Sequence, residues 1–371
     1  MDYMEQALSL AKLALGQVSP NPAVGAAVVK DNVVVGQGYT QVPGYNHAEI
    51  IALEQAGEAA KGSKMYVTLE PCCHYGQTPP CSQAIITAGI DEVHMAMLDP
   101  NPLVSGRGKE ELGEAGIKTF VGEHMKEAEG INEAYIRFIT TGLPFITAKM
   151  AMSLDGKIAT RSGDSRWISS LEARQYVHSL RSKSDAIMVG ANTIIIDNPQ
   201  LTARCCGGRG GAVKKQPLRV IVDGKGRTPL TARVFTEPGE TLLVLGRKVS
   251  KEEKEAYKKA GVGLLELPSE ESYIDLRKLL KALGERQITS VLVEGGSGLL
   301  GSLFDQGLVD KVIVFIAPII IGGEAAKTAV GGRGVAKLVD SMKIENTTEE
   351  LFGQDIMVTG YLGGQECSPE L

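Results

Sequence analysis

Two α/β domains in tandem are what the sequence predicts, on three observations. The chain is 371 residues long, more than one hydrophobic core usually serves. Short β-rich runs alternate with segments of helical apolar spacing along most of its length. TTGLP (140–144) interrupts that alternation, and a fresh strand-like run, FITAKMAM, follows at once. The break divides the chain into domains 1–144 and 145–371.

In the first domain, Met4, Leu8, Ala11 and Leu15 recur at helical spacing, which predicts an amphipathic opening helix. AVGAAVVK and VVVGQGY flank Asp31-Asn32, a turn-forming pair, so residues 23–39 predict a hairpin. HAEIIALEQAGEAA reads as a helix, MYVTL as a strand and CSQAIITAG as a helix opening at Cys81. VHMAML is a further strand, ending at Asp99-Pro100-Asn101-Pro102, and one last helix covers about 123–141. The result is a mixed sheet with helices on both faces.

In the second domain FITAKMAM, DAIMVG, LRVIVDG, TLLVLG, SVLVEGG, KVIVFIAPIIIG and DIMVTGYL predict strands. Helices at about 169–183, 250–260, 273–284 and 297–307 separate several of them. CCGGRGGAVKK (205–215) reads as a mobile loop and the end of the chain, from about residue 362, as a disordered tail.

Composition narrows the function classes. With 43% hydrophobic and 22% charged residues the chain is ordinarily globular. A formal charge of -5 and few aromatics argue against a nucleic-acid partner. No apolar run approaches a membrane span, and the acidic first residues lack the basic start of a secretory signal. The six cysteines include two adjacent pairs, Cys72-Cys73 and Cys205-Cys206, which suit a reducing compartment better than a disulfide framework. These features together predict a soluble cytoplasmic protein.

The chemistry concentrates in two stretches. Asn46-His47-Ala48-Glu49 opens a predicted helix, and TLEPCCHYGQTPPC (68–81) follows. H-x-E followed by P-C and a later Cys is the signature of zinc nucleobase deaminases. A catalytic zinc needs three protein ligands and an open position for water. One imidazole and two thiolates supply the three, and the water then ionises near neutral pH and can attack an amidine carbon. The neighbouring carboxylate must stay off the metal and shuttle the proton to the ring nitrogen and the departing ammonia. His47, Cys72 and Cys81 are therefore the expected ligands and Glu49 the expected shuttle. Cys72 closes a strand and Cys81 opens a helix, whereas Cys73, next to Cys72, points its side chain elsewhere. His74 is an alternative ligand or a substrate contact, and buried packing is the bland reading of any cysteine. The eight residues between Cys72 and Cys81 exceed the usual two.

PNPAVGAAVV, HAE, TLEPCCHYGQTPPC and DPNPLVSGRG make residues 1–144 closely similar to the deaminase half of the bifunctional riboflavin-biosynthesis deaminase–reductase family. That family carries an insertion between its zinc cysteines, which accounts for the long gap. KMAMSLDGKIA, SRWIS, DNPQLTAR and VEGGSGLLGSLF make residues 145–361 resemble its reductase half. The resemblance implies a cytidine-deaminase-like first domain and a dihydrofolate-reductase-like second one. It implies deamination of 2,5-diamino-6-(5-phosphoribosylamino)pyrimidin-4(3H)-one, then reduction of the ribosyl group to ribityl with NADPH. Zn2+ and NADPH are the implied cofactors. Asn21, Asp99 and Asn101 match positions that hold the pyrimidine or its sugar phosphate; turn formation is their bland reading. Gln77 stands where many relatives have a basic residue, and it is left out of the expected site.

In the second domain Gly296-Ser297-Gly298-Leu299-Leu300-Gly301 spells G-x-G-x-x-G, which on its own is a weak sign of a Rossmann cofactor site. It lies within VLVEGGSGLLGSLF, a buried strand, two glycines that admit a close ligand, and a helix N-terminus that favours phosphate. By resemblance, Gly296, Ser297, Gly298, Leu299, Leu300, Gly301 and Ser302 contact the cofactor, as do Ala151, Trp167, Thr193 and Asp197. Ser165, Arg181, Leu201, Arg204 and Glu294 match substrate positions, the arginines as phosphate forks. Lys149, mid-strand in an apolar run, suggests a catalytic proton donor during opening of the sugar ring; a structural ion pair is the alternative. A nucleic-acid deaminase, a non-catalytic nucleotide sensor in the second domain and a purely structural zinc are the rivals. Paired α/β edges in fused enzymes lead us to expect a homo-oligomer.

Overall fold

A computed structural model describes residues 2–75, 79–204, 215–270 and 273–363. Residues 205–214 of the loop expected at 205–215, the tail beyond Gly363 and Gln77 lie outside the described residues. The chain divides into two compact units, Met1–Gly142 and Leu143–Leu371.

In the first unit the elements are α1 (Tyr3–Ala14), β1 (Gly25–Lys30), β2 (Val33–Tyr39), α2 (Ala48–Ala56), β3 (Lys64–Val67), α3 (Cys81–Ala88), β4 (Glu92–Met95), α4 (Arg107–Glu114), β5 (Lys118–Val121), α5 (Met125–Ile131) and α6 (Glu133–Thr141). The sheet order is β2-β1-β3-β4-β5, with β1 antiparallel to both neighbours and β3, β4 and β5 parallel. Asp31 and Asn32 both take positive φ, 50° and 62°, as a two-residue type I′ turn requires.

Glycines show which helix covers which face. A Cβ on Gly25 would lie 2.0 Å from the Ala7 carbonyl oxygen, whereas Cβ atoms on Gly36 and Gly38 would strike the Ala52 and Ala48 carbonyls of α2 at 2.1 and 2.5 Å. Paired residues share a face and neighbours alternate; Gly38 pairs with Ala26, so α1 and α2 lie on opposite faces. Met65, Val67, Val93 and Met95 fill the core between.

One helix expected over about 123–141 is instead two. Asn132, buried at the break, turns its side chain to the loop before β1: Oδ1 accepts from Ala23 N at 2.8 Å and Nδ2 donates to Ala23 O at 3.1 Å. Asn132→Ala is expected to lower stability by about 2 kcal/mol in urea unfolding, since it leaves a buried N–H and C=O unpaired. Unchanged stability would remove this account of the break.

In the second unit the elements are β6 (Phe145–Ser153), α7 (Leu171–Lys183), β7 (Ala186–Gly190), α8 (Ala191–Asp197), β8 (Leu218–Asp223), β9 (Thr241–Gly246), α9 (Lys251–Lys259), β10 (Gly263–Leu267), the short ribbon β11 (Ser269–Glu270) and β12 (Tyr273–Ile274), α10 (Leu276–Gly284), β13 (Ser290–Val293), α11 (Ser297–Asp305), β14 (Lys311–Ala317), β15 (Ile344–Phe352) and β16 (Asp355–Leu362). Nine strands run β10-β9-β8-β7-β13-β6-β14-β16-β15, parallel from β10 to β14 and antiparallel through β16 and β15.

The parallel strands are buried on both faces and read as continuous apolar runs, which is why they are legible in the sequence. KVIVFIAPIIIG stops as a strand at Ala317, before Pro318, which has no N–H for a ladder. Seven elements are missing from the sequence reading: α4, β5, α8, β10, the ribbon strands β11 and β12, and β15. β15 is exposed almost throughout and has no apolar alternation to reveal it.

Candidate active sites

His47 is the residue before α2, Glu49 lies in its first turn, and Cys81 opens α3. These two helix starts converge on the end of β3, where the chain reaches Cys72. His47 Nδ1 lies 3.6 Å from Cys72 Sγ and 3.3 Å from Cys81 Sγ, and the three ligand atoms lie within 4.8 Å of one another. Tetrahedral zinc with bonds of about 2.3 Å to sulfur and about 2.0 Å to nitrogen spaces N and S about 3.5 Å apart. The donor set therefore fits the ion.

Electrostatics supports the same fit. A hydrogen bond from the Cys81 thiol, with help from His47, brings Cys72 down to about 4, although burial opposes it. The hydrogen bond to Cys72, and then burial, push the Cys81 thiol far above the ordinary thiol range. Two thiolates side by side, one half-buried and one buried, need a cation between them, and zinc provides one. Glu49 is buried and stands outside the ligand cluster. Burial, and then the Cys72 charge, raises its carboxyl to about 7. Cys73 and the exposed His74 take no part in the cluster.

Asp99 is buried, and Oδ1 accepts from Asn101 N and from Tyr135 Oη, both at 2.9 Å. Burial raises its carboxyl to about 6. Asn101 Oδ1 in turn accepts from Leu103 N at 3.0 Å. Asn21 lies in the segment before Ala23 that Asn132 holds.

Two residues absent from the sequence reading complete this region. Tyr135 orients Asp99. Buried Glu70, two residues before Cys72, accepts from the backbone N–H groups of Asp99, Gly106 and Lys109 at 3.1, 2.9 and 3.0 Å. It ties the metal-ligand segment to the DPNP loop. A carboxylate at the end of an apolar strand, directly before Pro-Cys, was the available signal.

In the second unit a cavity of about 510 Å³ opens at the C-terminal ends of β7, β8 and β13. Chain order reverses there, because β13 inserts between β7 and β6, and such switch points are where open α/β sheets bind ligands. Gly296, Ser297, Gly298, Leu299, Ser302, Thr193, Asp197 and Ser165 line it. Gly295 has φ +118°, open to glycine alone. Ser165 donates to Asp197 Oδ1 at 3.0 Å.

Other expected contacts lie elsewhere. Leu300 is core, and Gly301 is a close approach, since a Cβ there would come within 2.2 Å of Gly331. Ala151 packs beside Phe315, and Leu201 is buried under β7 and β8. Trp167 is 71% exposed, with the Arg174 guanidinium 4.5 Å above its ring, and so is not a core residue.

Arg181 does not reach out as a free phosphate fork. Its Nε and Nη2 donate to the two oxygens of Glu294 at 2.6 and 2.8 Å, and Nη1 donates to Thr202 O at 3.0 Å. Burial pushes the Glu294 carboxyl up, but the Arg181 guanidinium, then Lys149 and His178, hold it below its ordinary value. Burial pushes the Lys149 ammonium down, and Lys149 sits 5.7 Å from the Phe315 ring centre. Asp155 spends its carboxylate on Ser153, Ile321 and Gly322, not on Lys149. Arg204 donates to Thr202 Oγ1 at 3.2 Å. Glu294→Gln is expected to cost about 3 kcal/mol in urea unfolding, because it strands a buried guanidinium. A change under about 0.5 kcal/mol would show that the pair is dispensable.

With these geometries in view, the similarities fall into place. The cytidine and deoxycytidylate deaminase zinc-binding region matches residues 1–97, and the RibD C-terminal domain matches residues 144–358. Riboflavin biosynthesis protein RibD of Aquifex aeolicus is 44% identical over 358 residues, covering 96% of this chain and 97% of its own. The Escherichia coli protein of the same name is 40% identical over 361 residues, covering 95% and 97%. Among solved structures, Acinetobacter baumannii RibD superposes with a TM-score of 0.87 at 36% identity, covering 98% of each chain. The Thermotoga maritima diaminohydroxyphosphoribosylaminopyrimidine deaminase/5-amino-6-(5-phosphoribosylamino)uracil reductase gives 0.84 at 35%, covering 97% of each. This chain belongs to the RibD family, the bifunctional deaminase–reductases of riboflavin biosynthesis, which work with zinc and NADPH.

Proposed function

We propose that residues 1–144 hydrolytically deaminate 2,5-diamino-6-(5-phosphoribosylamino)pyrimidin-4(3H)-one to 5-amino-6-(5-phosphoribosylamino)uracil, and that residues 145–371 reduce the ribosyl group of that product to ribityl. The observation that carries this reading is the zinc-compatible cluster of His47, Cys72 and Cys81 with buried Glu49 beside it and outside it. A closed structural site has no use for such a carboxylate. Bound zinc supplies an activated water. Glu49 takes that water's proton, delivers it to the ring nitrogen, and gives a further proton to the departing ammonia. Asp99, Asn101 and Asn21 hold the pyrimidine or its sugar phosphate.

In the second domain NADPH, when bound, supplies the hydride. Gly296, Ser297, Gly298, Leu299, Ser302, Thr193 and Asp197 position it. Glu294 accepts from the ribose hydroxyls, held in place by Arg181, and Arg204 meets the phosphate. Lys149, with an ammonium made more acidic by burial, donates the proton that opens the sugar ring.

The test is a coupled assay with the diaminopyrimidine phosphate that follows ammonia and NADPH together. Both are expected to turn over, and a chelator is expected to stop both, with NADPH oxidation alone returning when the deaminated product is added. Absence of ammonia release from zinc-loaded protein would refute the reading.

The partner is a small molecule. Negative charge disfavours nucleic acid. Among the described residues no helix is long and apolar enough to cross a membrane, and the cysteine pattern favours the cytoplasm. The edge strand β15 is exposed, and Leu338 and Leu351 beside or on it are 90% and 76% exposed. Such an edge suits pairing with a second copy, so light scattering is expected to return twice the chain mass. A monomer at micromolar concentration would exclude the homo-oligomer.

A further inference from the structure

The start of α6 carries two side chains that reach different loops of the deaminase site. Asn132, the residue before α6, holds the backbone of Ala23, two residues past Asn21. Tyr135 stands three positions further along the same helix face and reaches the DPNP loop instead. Its Oη donates to Asp99 Oδ1 at 2.9 Å, and the Asn101 side chain also interacts with this hydroxyl. The Tyr135 ring is buried in the core of the first domain, so the hydroxyl is held where it is.

Asp99 is buried as well, yet only one of its two oxygens is used. Oδ1 takes both donors, Tyr135 Oη and Asn101 N, while Oδ2 has no partner among the described residues. A buried carboxylate oxygen without a donor is costly, so the donor it lacks has to come from outside the protein. An aspartate turns easily about its last side-chain bond, where the torsional wells are broad. Two donors converging on Oδ1 from different segments stop that rotation and leave Oδ2 for a ligand. They also favour the ionised carboxylate, which accepts and does not donate. Asp99 feels the charge of Cys72, which places it within reach of one small molecule bound at the metal site.

We propose that Tyr135 is a positioning residue of the deamination: by holding Oδ1 it presents Asp99 Oδ2, as a fixed acceptor, to a hydrogen-bond donor of the substrate. The inference rests on the reading of Asp99 as a substrate contact and adds the residue that sets its geometry. Tyr135 acts through Asp99 and stands outside the metal cluster, so its loss weakens binding and spares Glu49 and the zinc ligands.

The experiment is steady-state ammonia release from the diaminopyrimidine phosphate by full-length, zinc-loaded wild type, Tyr135→Phe, Asp99→Ala and the double variant. Tyr135→Phe keeps the ring and deletes only the hydroxyl. It is expected to raise KM about ten-fold, the loss of one hydrogen bond to a charged group, with kcat within about two-fold of wild type. Zinc content and NADPH oxidation with the deaminated product are expected to stay at their wild-type values. In the Asp99→Ala background Tyr135→Phe should change KM by less than about two-fold, because the group it positions is gone. An unchanged KM in Tyr135→Phe overturns the proposal. So does a rise that persists in the Asp99→Ala background, or a fall in kcat that tracks loss of zinc, either of which leaves Tyr135 a structural role alone. Asp99→Ala with the wild-type KM would remove Asp99 from the substrate site, and the proposal with it. Zinc-loaded wild type that releases no ammonia would instead overturn the deaminase reading itself.

Discussion

Glu49→Gln is expected to keep its zinc and lose ammonia release by a factor of about 10³, within the range for removal of a general acid–base group. The expectation follows from position. Glu49 lies outside the three-ligand cluster, so the metal does not depend on it. It is buried, and its carboxyl is raised to about 7, first by burial, so the apolar surroundings accept the neutral glutamine at little cost. Metal content by plasma emission, ammonia release and NADPH oxidation with the deaminated product as substrate separate the alternatives. Zinc retained with deamination lost and reduction intact is the expected pattern. Zinc lost along with deamination would make Glu49 a ligand and end its role as a shuttle.

Cys81→Ala is expected to remove zinc, deamination and a share of the first domain's stability together. Cys81 is fully buried, its thiol lies 3.3 Å from His47 Nδ1, and its N–H donates to Cys72 Sγ at 3.4 Å. Without it two donors remain, too few to hold zinc at a catalytic site. At free zinc about a thousand-fold above its Kd, bound metal contributes about 4 kcal/mol of stability, which the variant forgoes. Cys73→Ala is the control: it lies outside the cluster and should leave metal and melting temperature unchanged. If Cys73→Ala lost the metal and Cys81→Ala kept it, the ligand set would have to be redrawn. NADPH oxidation by the second domain should survive both substitutions.

Much of the fold is legible because buried parallel strands announce themselves. TLLVLG and DAIMVG are apolar throughout, since helices cover both faces, and no other local structure accounts for runs that short. The hairpin is legible from Asp31-Asn32, residues that tolerate positive φ. α4 is not legible: RGKEELGE is strongly polar and is anchored by Glu70, which accepts from Gly106 N and Lys109 N, a contact from a residue 36 to 39 positions away. β15 has no pattern of its own and is ordered by pairing with β16. The break between α5 and α6 is invisible for the same kind of reason, because Ala23, 109 positions away, engages Asn132.

What the sequence determines by itself is chemistry that resides in residue types at short spacing. An imidazole and a carboxylate two positions apart, two cysteines beside prolines at junctions, and a glycine pair before a helix suffice to indicate zinc and a phosphate-bearing cofactor. Only the tertiary structure decides which partners these groups find. It pairs Arg181 with Glu294 across 113 residues, leaves half-buried Lys149 without the help of Asp155, ties Glu70 to the DPNP loop and turns Trp167 outward. The reason is physical: a charge in a low-dielectric interior is governed by whatever lies within a few ångströms of it, and that neighbourhood is assembled by chain crossings that local sequence does not encode.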